Sequence, residues 1–426
     1  LRSGSGQAVA EGAACRVQRL DALGLTAALQ GIEARVTLDP YLRAAWFETF
    51  LETCLDRGDR VAAALVRQGE RSLVLPLRVS PAKLRSLPYL RLRSLTNFYS
   101  CRFDIPVNAP IDAGMIAAWA RDMRRGRPRP SEILFECLDP AGAAFGALWQ
   151  GLLRAGYWTA PHFMFLTRFA DLRPWRHEGG YERYWAARPS ALRNTVERKA
   201  RQAEKQGCTV LISPKGAEAA PFVQAYEAVH AASWKPPEPY PNFMPAMIRR
   251  GLADGTVTVA LMRQGETIVA AQVWFQGDRK ATIFKLSYRE DAKSLSAGSI
   301  LTRAMMRRAF EDPDLDIVDF GWGDDAYKKD WLPEATERWG LSAYDPATPA
   351  GFLLGLRNVV AKRLLGRVKR PPMMSLLHRH ALGEIARLVD IGPLQHRDMI
   401  GEKLDRNGVD ERRGDVMRAR QCESGE

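Results

Sequence analysis

Apolar side chains return at helical spacing between residues 40 and 55, where Tyr41, Leu42, Ala45, Trp46, Thr49, Phe50 and Leu51 predict an amphipathic helix. Two strand-like runs follow, at 60–67 and 71–79. The Gln68-Gly69-Glu70 turn between them signals a hairpin. The pattern then predicts a helix at 112–125, a strand at 132–138, a helix at 141–155 and a strand at 162–168. Residues 171–180 are rich in Arg, Pro, Gly and charge and read as a connector.

Beyond the connector, Ser190 is placed to cap a helix from 191 to about 206. That helix is basic through Arg193, Arg198, Lys199, Arg201 and Lys205, and Gly207 stops it. A strand at 209–213 and helices at 217–233 and 243–253 follow. Three strands come next, at 256–263, 267–276 and 280–288, turned by Gln264-Gly265-Glu266 and Gly277-Asp278. A helix at 298–310 and a strand at 317–320 lead into Gly321-Trp322-Gly323-Asp324. Both halves thus run helix, hairpin with Arg-Gln-Gly-Glu (67–70 and 263–266), helix, strand, which suggests a tandem duplication. Strands interleaved with helices predict an α/β or α+β class.

Apolar residues at 353, 356, 360, 364 and 368 form a further helical stripe, surrounded by Arg357, Lys362, Arg363 and Arg367. Residues 346–383 hold seven Lys/Arg and no acidic residue. Such a helix either docks its stripe on the second half or lies at a membrane surface or against an acidic carrier protein. The charged tail after about 400 reads as disordered, as do the Gly/Ser/Ala-rich first residues.

The whole chain has 426 residues, a net charge of +13, 46% apolar and 26% charged residues, a balance that predicts two or three globular domains. The positive charge points to an anionic partner without choosing among nucleotide phosphates, lipid, an acidic carrier or nucleic acid. No apolar run reaches the length of a membrane-spanning helix, and no secretory leader is visible. The six cysteines are dispersed and read as thiols in a reducing compartment, placing the protein in the cytoplasm. No metal-ligand spacing occurs, so no metal is expected.

Walker A, G-x-S-x-G and three-glycine dinucleotide motifs are absent, and Asp324-Asp325 after Gly321-Trp322-Gly323 would repel a pyrophosphate. The small-residue turn Leu295-Ser296-Ala297-Gly298-Ser299 opens a helix, so it either offers N–H groups to a phosphate, with Lys293 nearby, or is an ordinary capped helix start. Residues 319–331 combine a carboxylate at a strand end, glycines, Tyr327 and Lys328. This is either a reaction site or a strand end followed by a solvated charge cluster.

The strings 284–290 (FKLSYRE), 295–301 (LSAGSIL), 315–321 (LDIVDFG) and Tyr327-Lys328, with Leu192-Arg193, Arg198-Lys199 and Ser233-Trp234-Lys235 upstream, resemble the CelD-type (BioF2-like) acetyltransferase domain of the GNAT superfamily. The resemblance covers about 181–345. The first half, including 95–100 (LTNFYS), is similar to the degenerate first half of these proteins, which are related to FemAB-type transferases. It implies two tandem GNAT-like domains with mixed central sheets and a C-terminal helical extension. The divisions it gives are 1–14 (lead), 15–170, 171–345 and 346–426.

The implied reaction is acyl transfer from a thioester, acyl-CoA or acyl-carrier protein, to an amine of an envelope lipid or amino sugar. A non-catalytic accessory role in exopolysaccharide or cellulose synthesis and an aminoacyl-tRNA-dependent transfer are the alternatives. No stacking series supports nucleic acid. Lys285, Lys293, Ser296, Gly298 and Ser299 are expected at the donor. Asp319 or Asp324 is expected as base, with Tyr327 and then Tyr288 as acid to the thiolate. Trp234, Lys235, Arg193 and Lys328 are expected around the acceptor. The segment 352–368 is expected to touch the inner membrane peripherally.

Overall fold

A computed structural model describes residues 14–177 and 179–361. The expectations for the lead, for the distal part of the basic helix, for Cys422 and for the charged tail lie outside the described residues.

The first half runs β1 (Arg16–Leu20), α1 (Ala22–Glu33), α2 (Ala44–Thr53), β2 (Arg60–Val61), β3 (Ala63–Gln68), β4 (Arg71–Leu75), β5 (Leu77–Leu84), β6 (Leu87–Ser94), α3 (Ala113–Arg125), β7 (Glu132–Leu138), α4 (Ala143–Arg154) and β8 (Trp158–Asp171). Two short helices, α5 (Arg173–His177) and α6 (Gly180–Ala186), lead into the second half. That half runs α7 (Ser190–Lys205), β9 (Cys208–Ile212), α8 (Ala219–Ala231), α9 (Phe243–Asp254), β10 (Val257–Gln264), β11 (Thr267–Gly277), β12 (Lys280–Tyr288), α10 (Ala297–Glu311), β13 (Ile317–Asp319), α11 (Ala326–Trp331) and β14 (Glu334–Tyr344). The last described helix is α12 (Pro349–Gly355), which continues as a wider turn over Leu356–Ala361.

Eleven strands form one mixed sheet in the order β2-β5-β6-β7-β14-β8-β13-β12-β11-β10-β9, and β1-β3-β4 form a small second sheet. The order repeats about its centre. β6 and β7 pair in parallel in the first half, as do β12 and β13 in the second. The final strand of each half crosses over, β8 to pair with β13 and β14 to pair with β7. The two long strands pair antiparallel with each other, from Glu334↔Phe169 to Tyr344↔Trp158. Each half therefore completes the other's sheet. The two Gln-Gly-Glu turns occupy equivalent hairpin tips, Gln68↔Arg71 and Gln264↔Thr267, and both glycines hold the positive φ (58° and 56°) that the first position of a tight hairpin turn favours.

One core spans the halves. The ring of Tyr41 meets Phe275 at 5.0 Å, Trp46 meets Phe243 at 5.5 Å, and Tyr99 stacks on Phe243 at 4.1 Å. A second cluster, with Trp274, Leu301, Met305 and Trp331, fills the other face of the second half's sheet. Close packing makes that core sensitive to single atoms. A Cβ added to Gly251 of α9 would lie 2.2 Å from Val257 Cγ2, on a strand that cannot retreat. Gly251→Ala is expected to lower stability by about 1–3 kcal/mol. In contrast, Gly31→Ala, with open space around it, should raise stability by up to about 1 kcal/mol. Thermal unfolding of the two variants checks the contrast.

Several expectations need correction. The run 71–79 is two strands in two sheets, because Pro76 has no N–H to continue the ladder. The connector 171–180 is largely helical, with Pro174 tolerated in the first turn of α5. Ser190 is the first residue of α7 and makes no cap, since Pro189 holds the cap position. The sequence pattern predicts none of the strands β1, β6 and β14 or the helices α1, α6 and α11. The cysteines at 15, 54, 101, 137 and 208 are free thiols.

Candidate functional site

The parallel pairing of β12 with β13 covers only Lys280↔Ile317, Ala281↔Val318 and Thr282↔Asp319. Beyond Thr282, β12 runs on to Tyr288 with no β13 partner, so the sheet opens there. The pairing with β11 shifts at the same level: Val273 faces Lys285 and Trp274 faces Ile283, which leaves Phe284 as the extra residue of a bulge. The bulge resets the alternation. Lys285 and Ser287 then face α8 and its following loop, while Leu286 and Tyr288 join the cluster under α10.

A polar network lies on that α8 side. Glu238, in the loop between α8 and α9, accepts from Tyr99 Oη (2.7 Å), Tyr226 Oη (2.8 Å) and Lys285 Nζ (3.0 Å). Burial opposes its ionisation, but Lys285 and the two hydroxyls outweigh burial and hold its carboxyl below the usual range. Lys285 also sits 4.8 Å above the rings of Phe98 and Tyr99, from the first half. Burial lowers its ammonium, and Glu238 resists the shift. His230 Nδ1 lies 3.4 Å from Ser287 Oγ, and burial keeps the ring below its ordinary value.

Lys235 differs from these. Its Nζ donates to the Leu286 carbonyl, on the stretch of β12 that β13 does not reach. Burial, and then the charge of Lys285, bring it down to about 8, with Lys328 adding and Glu238 opposing. Lys328, on α11, donates to the Trp322 carbonyl and pairs with Asp325 at 2.9 Å. Lys235, Lys285 and Lys328 thus converge on the opening. Phe98, Trp234 and Tyr327, each next to a member of this network in space or sequence, are exposed aromatic side chains. Tyr327 loses water around its hydroxyl and is raised to about 12, with Asp325 and Tyr288 adding, so it stays protonated at neutral pH.

The two carboxylates expected as bases are placed elsewhere. Asp319 is buried, accepts Arg102 Nη1 (2.7 Å) and Thr282 Oγ1 (3.2 Å) on one oxygen and the Gly321 N–H (2.8 Å) on the other. Arg102 also pairs with Asp39 at 2.7 Å and lies 4.9 Å over the Tyr41 ring. Asp319 is therefore part of a clamp between the halves. Asp324 pairs with Arg168 at 2.5 Å, and that hydrogen bond holds its carboxyl below the usual range. Arg193 donates to the Arg188 carbonyl at the start of α7 and is not part of the network.

Of the residues expected at the donor, Lys293, Ser296, Gly298 and Ser299 fall at the start of α10, whereas Lys285 lies on β12, paired with Glu238 on the α8 side. Ser296 has φ 55° and makes no side-chain cap; its own N–H bonds the Lys293 carbonyl and that of Ser299 bonds the Ser296 carbonyl, so the N–H groups without a side-chain cap are those of Ala297 and Gly298. Gly298 is buried against Leu286, where a Cβ would lie 2.9 Å from Cδ2. Lys293 is exposed one turn earlier, and Ser299 lies in the first turn. The equivalent helix of the first half, α3, is closed instead: Asp112 caps it through Gly114 N at 2.7 Å. The first half so lacks the open helix start that the second half keeps.

Sequence reasoning missed Glu238, His230, Tyr226, Tyr99 and Ser287. They come from four places in the chain, and apart from Tyr226 and His230, one turn apart on α8, no local spacing links them. The one signal was Lys235 followed within three residues by Glu238 in a Pro-rich loop.

Residues 190–329 match the family model described as an acetyltransferase (GNAT) domain. The match to a GNAT-type domain thus covers the core of the second half, and the fold is mixed α/β in two halves of repeated topology. Among solved structures it is similar to FemX, at 12% identity and TM-score 0.52, covering 80% of this chain and 100% of that one. L-PGS from Bacillus licheniformis matches with 12% identity, 80% and 97% coverage and a TM-score of 0.47. A tandem GNAT protein from the clavulanic acid biosynthesis pathway matches with 12% identity, 79% and 100% coverage and a TM-score of 0.40. No curated protein matches the sequence.

Proposed function

We propose that the protein moves an acyl group from a thioester to an amine in the opening between β12 and β13. The observation that carries this reading is the convergence of Lys235 on the unpaired stretch of β12, beside an uncapped α10, within a matched GNAT domain. The donor, acyl-CoA or acyl-carrier protein, lays its phosphates against Ser296–Ser299 with Lys293 near, where helix N–H groups favour negative charge. Its thioester reaches the level of the bulge. The acceptor enters past Phe98, Trp234 and Tyr327, rings suited to a sugar face or a lipid chain. An amino sugar or lipid amine of the cell envelope fits that mouth, with the enzyme working in the cytoplasm at the inner membrane.

Lys235 takes the proton that the attacking amine must lose. An amine base with a pKa near the working pH is the efficient case. As the C–N bond forms and the C–S bond breaks, Tyr327 gives its proton to the departing thiolate, with Tyr288 beside it. Lys285 and Glu238 hold the α8–α9 loop against β12 and orient Lys235.

Following free thiol release from acetyl-, long-chain acyl- and carrier-bound thioesters, with and without an amino sugar or lipid amine, tests the reading. Release that depends on the amine supports it. Absence of release across the panel, with no binding of any thioester, rejects it. A carboxylate at the helix start should repel the donor, so Ser299→Glu is expected to raise the donor KM about tenfold with kcat nearly unchanged. Steady-state kinetics with varied donor checks this.

A further inference from the structure

The last described helix is apolar on both sides. Leu354, Gly355 and Val359 face inward and pack with Tyr89, Tyr344 and Ala350. Phe352, Leu353 and Leu356 remain 46%, 48% and 44% exposed. These positions, i, i+1 and i+4, share one face of a helix. Phe352 is anchored from beneath by Trp158, at 5.6 Å, so the patch is held in place.

Cations surround it. Arg357 is exposed one residue beyond Leu356. The tip of the β5–β6 hairpin supplies exposed Lys83 and Arg85, and the adjacent Leu84 and Leu87 pack into the same small cluster as Leu354.

We propose that this face seats the protein on an anionic lipid bilayer, with Phe352, Leu353 and Leu356 entering the headgroup boundary and the cations meeting lipid phosphates. The chemistry favours lipid over other occupants. Three side chains are too few for the roughly 800 Å² that each partner of a stable protein pair buries. Nucleic acid would find no use for aliphatic side chains at the centre of the contact. Apolar residues ringed by Lys and Arg are the composition of an interfacial anchor.

The test is sedimentation of the full-length protein with vesicles of phosphatidylcholine alone or mixed with phosphatidylglycerol. The protein should bind the mixed vesicles at least about tenfold better, as several basic residues near an anionic surface imply. Binding should fall as salt rises from about 0.1 M to about 1 M, which shortens the screening length from about 10 Å to about 3 Å. The triple variant Phe352→Ser, Leu353→Ser, Leu356→Ser should lose binding about tenfold or more. Its three positions are exposed, and an unchanged melting temperature shows that it folds. Lys83→Glu with Arg85→Glu should lose the preference for phosphatidylglycerol. The proposal is overturned if the wild type ignores both vesicle types, binds both equally, or binds as well after the triple substitution. A self-association in ultracentrifugation that the triple variant abolishes would also overturn it, by making a second copy the occupant. The surface is separate from the opening at β12, so thiol release with a soluble acceptor stays unchanged in the triple variant whichever way the vesicle experiment falls.

Discussion

Lys235→Arg is expected to cut turnover about 10²–10⁴-fold, the range that a positioned proton acceptor contributes. Arginine keeps the positive charge and the hydrogen bond to the Leu286 carbonyl within reach, but it cannot lose its proton. Lys235→Met should fail to a similar degree. The sign of the pH dependence follows from the cause of the shift. Burial and the neighbouring lysines favour the neutral amine, so the active form accumulates as pH rises through about 8. The wild-type rate should climb through that pH and level off above it, and both variants should lose this limb. An acceptor whose own amine titrates below pH 6 assigns the limb to the enzyme. If Lys235→Arg kept near-normal turnover, Lys235 would serve as a bound cation and not as a base.

The second large effect is on stability. Arg102→Met should lower the unfolding free energy by about 3–5 kcal/mol, the cost of removing one partner from a buried ionic cluster. Two carboxylates, Asp39 from the first half and Asp319 from the second, would lose their shared cation in the interior. Asp319→Asn should cost less, because Arg102 keeps Asp39. It should leave turnover within a few-fold of normal, since Asp319 already spends its oxygens on Arg102, Thr282 and the Gly321 N–H. Urea unfolding followed by fluorescence reads the first effect, and kinetics on the folded variant reads the second. A drop of 10² or more in turnover for Asp319→Asn would return that residue to the chemistry.

The halves and their matching hairpins were legible because Gly69 and Gly265 sit in turns whose geometry the sequence announces. Lys235 and Lys285 were legible as residues of interest through the strings that resemble a GNAT-type domain, and Lys328 through its place beside Tyr327 in the run 319–331. Their convergence was not legible. It depends on the β12 bulge at Phe284, which turns Lys285 toward α8, and on an exchange of strands that no local pattern encodes. Asp319 looked reactive because a carboxylate at a strand end before glycines suits both a base and a buried clamp. Only Arg102, more than two hundred residues away in sequence, separates the two. The short α11 escaped notice because Ala326–Trp331 is too brief to show a period.

In the proposed reaction an acyl group leaves sulfur and arrives on nitrogen in the second half of the chain. Mass spectrometry of an amine acceptor, after incubation with a thioester carrying a ¹³C-labelled acyl carbon, tests it most directly. The labelled carbonyl should appear in an amide of the acceptor, formed by the wild type and lost with Lys235→Arg. Label that stays in the thioester, or appears only as the free acid, would contradict it.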